Sequence, residues 1–128
     1  MQFACHTLIY SDDAAATRAF FRDVLQLPFV EDAGSGPGWL IFQTGPSELG
    51  VHPTRTERAG QVHESPRHHQ IALMVDDLAT TMTELERRGA VFSSGPDDRG
   101  FGLVALLQVP GADELMMYQP RHAVAHSL

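Results

Sequence analysis

His68–Phe92, HHQIALMVDDLATTMTELERRGAVF, decides the fold. Ile71, Leu73 and Val75 alternate with Ala72 and Met74, the two-residue period of a strand. Asp76-Asp77 then supplies carboxylates where a helix start leaves backbone N–H groups unpaired. Leu78, Met82 and Leu85 recur at helical spacing, and Gly89 stands where a left-handed C-cap belongs, which predicts a helix over 77–89. The same order occurs once before. His6-Thr7-Leu8-Ile9-Tyr10-Ser11-Asp12-Asp13 precedes a helix over 13–26 that carries Thr17, Phe20, Phe21, Val24 and Leu25. Asp12, Asp13 and Thr17 map onto Asp76, Asp77 and Thr81 at a constant offset of half the chain. A repeat at that period means two copies of one unit.

Working outward, the first copy has a strand over residues 3–10, then its helix, which Pro28 ends. Short strands follow at 28–32, at Trp39–Thr44 after the Gly34–Gly38 turn cluster, and at Glu48–His52. Residues 53–67, PTRTERAGQVHESPR, are polar, carry two prolines and lack periodicity, so they are expected to link the copies. The second copy continues with strands at 90–93, 101–109 and 114–119 and a turn over 95–100, before a loose extension, PRHAVAHSL. Each copy is strand, helix and three strands, a βαβββ unit. The expected fold is α+β: an eight-stranded curled mixed sheet around a cavity, with both helices outside. The chain is then one domain, 1–128, with unit one at 1–53, a linker at 54–67, unit two at 68–120 and the extension at 121–128.

The bulk numbers narrow the function classes. Hydrophobic content of 43% and charged content of 20% are those of a soluble globular domain. A net charge of −7 disfavours nucleic acid and anionic membrane, which need a basic footprint. One cysteine, Cys5, excludes an internal disulfide and fits a reducing cytoplasm. MQFACHTLIYSDD has no basic segment before an apolar run, so no signal peptide is expected, and no apolar stretch approaches the ~20 residues of a membrane span.

The paired units resemble the vicinal oxygen chelate superfamily, which includes glyoxalase I, bleomycin-resistance proteins, fosfomycin-resistance enzymes and extradiol dioxygenases. The resemblance covers nearly the whole chain and rests most on HTLIYSDD…FFRDVLQLPF, HHQIALMVDDL and ELMMYQP. It implies a divalent metal in the cavity, held by side chains from the first and fourth strands of each copy. His6, counted back from Phe20-Phe21, falls at the first ligand position, and Glu48 matches the Glu-Leu pattern of the fourth strand. At the third position, usually histidine before Ile-Ala-Leu, this chain has Gln70, a weaker and neutral donor. His68, on the same face, is a substitute. The fourth position is ambiguous: the internal match pairs Glu114 with Glu48, whereas counting back from Tyr118-Gln119-Pro120 gives Met116, a poor ligand for a hard ion.

Two functions follow. With His6, Glu48, Gln70 and Glu114 as ligands, the resemblance implies an enzyme using Ni²⁺, Mn²⁺, Fe²⁺, Zn²⁺ or Mg²⁺ on a small vicinal-oxygen substrate, a lyase, isomerase or dioxygenase with Glu48 or Glu114 as proton shuttle. The set is not the two-histidine, one-carboxylate triad of iron dioxygenases unless His68 or His52 joins it. The alternative is a metal-free protein that sequesters an aromatic compound or antibiotic, as bleomycin-resistance proteins do. Pocket walls would come from Tyr10, Trp39, His52, His68, Met74, Met116 and Tyr118, with Phe42 and Phe101 beside them. His63, His122 and His126 fall in linker or extension and are expected in solvent. Exposed sheet edges are usually covered, so a homodimer is expected.

Overall fold

Two aspartate-capped helices carry the repeat into three dimensions. The computed structural model describes residues 6–35 and 38–128, and in it α1 spans Ala14–Asp23 and α2 spans Leu78–Arg87. The Asp13 carboxylate accepts the Ala16 N–H at 3.1 Å, and the Asp77 carboxylate accepts the Thr80 N–H at 3.0 Å. Each satisfies a donor that a helix start would leave unpaired. The mapped threonines behave alike too: the Thr17 and Thr81 hydroxyls lie 3.1 and 2.7 Å from the carbonyls of Asp13 and Asp77. Gly89, at φ +97°, closes α2, with its N–H on the Glu86 carbonyl and that of Ala90 on Leu85. At the end of α1 the left-handed position falls to Gln26, at φ 55°.

The second unit forms as expected. β5 (Ala72–Met74) precedes α2, and β6 (Phe92–Asp98), β7 (Gly102–Leu107) and β8 (Leu115–Pro120) follow it. They make one mixed sheet in the order β5-β8-β7-β6, with β5 parallel to β8 and the other pairs antiparallel. β6 runs through the stretch expected to turn at 95–100, because register shifts let it bend and stay paired with β7.

The first unit departs from expectation. Of the strand expected at 3–10, residues 3–5 lie outside the described residues and 6–10 are not in a strand; neither are 48–52. Alternation makes a strand only where a sheet offers a partner, and Leu49 and Val51 are about 90% exposed. β1 (Phe29–Glu31) and β2 (Leu40–Phe42) pair with each other alone. Residues 53–67, expected to be irregular, hold a hairpin of β3 (Arg55–Arg58) and β4 (Gln61–Glu64). Ala59 and Gly60, both at positive φ, make its tight turn. The eight strands among the described residues thus form three separate sheets, and the single curled sheet around a cavity is not found.

The core lies between the helices and one face of the four-stranded sheet. Leu78 and Leu107 are fully buried there with Met82, Leu85, Ala105, Leu115 and Met117, each large side chain contributing roughly 1.5–3 kcal/mol. From the first unit only Thr17 and Phe20 are buried among the described residues. Phe20 joins that same cluster, while Ile9, Phe21, Val24 and Leu25 pack on its margin. Hydrogen bonds tie the units together: the Asp12 N–H donates to the Gly111 carbonyl at 2.8 Å, and the Arg88 guanidinium donates to the Val24 carbonyl at 2.8 Å.

Candidate functional site

Both helices lie on one face of the four-stranded sheet, so chemistry must be sought on the other. The strand period puts Ile71, Leu73 and Val75 against the core, as expected. The register then groups Ala72 and Met74 of β5 with Met116 and Tyr118 of β8, and Leu106 and Val104 of β7, on the open face. Val104 is fully buried, whereas Met74, Leu106, Met116 and Tyr118 are half-buried. The Phe101 ring meets Tyr118 edge-on at 5.8 Å, extending an aromatic wall beyond the start of β7.

Polar groups gather at the Tyr118 end. The His122 Nδ1–H donates to the Ala123 carbonyl at 2.8 Å, which leaves Nε2 to accept the Tyr118 hydroxyl at 3.3 Å. Burial lifts the Tyr118 hydroxyl above the usual phenol range, and the Glu48 carboxylate raises it further. A Glu48 oxygen also accepts the Ala125 N–H at 3.2 Å. His122 is exposed, as expected, yet its ring is bonded to the Tyr118 hydroxyl, a contact the sequence did not point to.

The expected metal ligands are distributed otherwise. The Gln70 amide lies 3.8 Å from the Met116 sulfur, so the two positions that depart from the family pattern are neighbours. The Glu114 carboxylate accepts the Ser93 hydroxyl, Glu48 is engaged by Ala125, and His6 is exposed. Among the described residues no three His, Cys, Asp or Glu side chains stand close enough to hold one ion. A thioether beside an amide is also a poor donor pair for a hard cation.

The remaining expected wall residues scatter. Trp39 lies under the Arg18 guanidinium at 4.7 Å and Phe42 meets Phe21 at 5.6 Å, so both pack towards α1. His52 and His68 are exposed, their rings bonded to the carbonyls of Pro53 and Pro66. Tyr10 lines a shallow recess with Asp12 and Asp113. Met74, Met116 and Tyr118 are the expected wall residues that share a surface.

Residues 5–113 match the model of the Glyoxalase/Bleomycin resistance protein/Dioxygenase superfamily. The chain belongs to this superfamily. No curated protein matches it. Among solved structures, a lactoylglutathione lyase from Agrobacterium tumefaciens is similar at 20% identity over 93% of this chain and 94% of that one, with a TM-score of 0.59. The antibiotic-binding protein TnmS3 from Streptomyces sp. CB03234 is similar at 17% identity over 94% and 98%, with a TM-score of 0.53. The fosfomycin resistance protein FosX from Listeria monocytogenes is similar at 11% identity over 93% and 91%, with a TM-score of 0.54. Identities this low show the superfamily fold and leave activity to the site itself. The β5-β8-β7-β6 sheet with α2 has the order strand, helix and three strands. No described helix is long and apolar enough to cross a membrane.

Proposed function

We propose that this protein is a metal-independent binder of a small planar aromatic compound, taken on the open face of the four-stranded sheet. The observation that supports this reading is the pairing of Gln70 with Met116 where the superfamily's metal enzymes have ligands, beside Met74, Leu106 and Tyr118. Thioether and aromatic side chains suit a polarizable flat ligand, and Gln70 and Tyr118 give it hydrogen-bond partners. An antibiotic of this shape is the ligand class, as the name of TnmS3 suggests for that relative.

The test is calorimetric titration of chelator-treated protein with bleomycin and other planar aromatic antibiotics. Binding without added metal is expected, and Tyr118→Ala and Met116→Ala are each expected to weaken it by roughly tenfold. Unchanged affinity in both variants would place the ligand elsewhere and end this reading. The second reading, a divalent-metal enzyme, is supported by the superfamily membership and the likeness to a lactoylglutathione lyase. Its test is titration of the same stripped protein with Ni²⁺, Mn²⁺ and Zn²⁺. Tight binding lost in both His6→Ala and Glu48→Ala, and strengthened in Gln70→His, would install it in place of the first.

The proposed assembly is a homodimer. Leu8, Tyr10, Leu49 and Val51, more than half exposed, come from the two segments that lack a sheet partner. Sedimentation of the 14.0 kDa chain at micromolar concentration is expected to give twice that mass, and a monomer would refute it.

A further inference from the structure

Residues 121–128 follow β8 and do not leave the sheet. The Arg121 N–H donates to the Phe101 carbonyl at 2.8 Å, which prolongs the β7–β8 ladder by one step. The Arg121 guanidinium reaches the Asp98 carboxylate at 2.6 Å across the start of β7. From this anchor the His122 ring sits 6.0 Å from that of Tyr118 and accepts a hydrogen bond from its hydroxyl. Three residues on, the Ala125 N–H is on Glu48, and Leu128 closes a turn back to the Ala125 carbonyl. Val124 and His126 are half-buried while Ala123 and Ala125 are exposed, so the segment lies with one side against the protein. It therefore engages the wall tyrosine and the Glu48 carboxylate together, one from each unit.

We propose that residues 122–128 form a strap over the Tyr118–Glu48 end of the open face and that a ligand there must displace it. The inference rests on the open face being the binding surface. Its hinge is the step between Arg121, fixed by the Asp98 pair and the Phe101 carbonyl, and His122, held by one neutral hydrogen bond. Two contacts, the Tyr118–His122 bond and the exposed Ala125 N–H on the Glu48 carboxylate, are few enough to open and strong enough to lower apparent affinity, because only the open fraction binds.

Two measurements test it. The first needs no ligand: amide hydrogen exchange at Ala125 in the full chain. Protection is expected in the wild type, with exchange roughly tenfold faster in Glu48→Ala, which removes its acceptor. Exchange at the rate of an unstructured chain in the wild type would overturn the strap. The second is titration with anilinonaphthalene sulfonate, a planar apolar probe, of the wild type and of a chain ended at Arg121. The shortened chain is expected to bind roughly tenfold more tightly. Equal affinity, with circular dichroism unchanged, would overturn the strap; if the shortened chain does not fold, His122→Ala in the full chain takes its place. Protection at Ala125 that Glu48→Ala relieves, with no probe bound by any form, supports the strap and counts against the binding reading alone.

Discussion

Leu78→Ala is expected to lower the free energy of unfolding by about 3–5 kcal/mol. Leu78 is the first residue of α2 and fully buried, and its own N–H donates to the Gln119 side chain at 3.0 Å, which fixes the helix start over β8. The truncated side chain would leave a void among Leu85, Leu107 and Met117, where helix and sheet cannot close in without breaking that bond. Against a total stability of roughly 5–15 kcal/mol, this is a large share. Urea unfolding should show a lower midpoint with an unchanged slope. A loss below about 1 kcal/mol would mean that the helix start relaxes freely and the core has been placed wrongly.

Gly102→Ala should be the more informative change, because it connects stability with the site. A methyl there would overlap the Gln119 carbonyl oxygen and lie 3.2 Å from both the Gln119 carbonyl carbon and the Tyr118 ring. Backbone cannot swing aside as a flexible side chain would, so β7 and β8 must separate locally. The expected loss is about 2–3 kcal/mol, with weakened binding on the open face because Tyr118 is displaced. Gly100→Ala is the control. Its φ is +81° with nothing within 4 Å, so only the cost of a left-handed alanine applies, about 1 kcal/mol. Equal effects at the two positions, measured by urea unfolding, would show that crowding against β8 is not the cause.

The second unit, and the helix and two short strands of the first, were legible in the sequence, whereas the absence of strand at 6–10 and 48–52 was not, for a physical reason. Helix starts depend on local chemistry, and Asp13 and Asp77 each cap within three residues of themselves. Ile71, Leu73 and Val75 sit against a helix that follows at once in the chain. By contrast, 48–52 alternates as a strand should, yet pairing is a property of the neighbour, which local pattern cannot supply. The β3–β4 hairpin did leave a signal: Ala59-Gly60 divides Thr56 from Val62, but the alanine is an unusual residue for that turn. At the site, the open-face residues Met74, Met116 and Tyr118 follow from period two alone. His122 does not, because its approach to Tyr118 depends on how the chain bends after Pro120.

The one-sided core also has a consequence during synthesis. Phe20 is buried in a cluster whose other members begin at Leu78 and end at Met117. At ~5–20 residues per second, on the order of ten seconds separates the emergence of α1 from that of β8. Through that interval the apolar stripe of α1 has left the ribosome before the surface on which it docks has been made. The half of the protein translated first is thus the half that settles last.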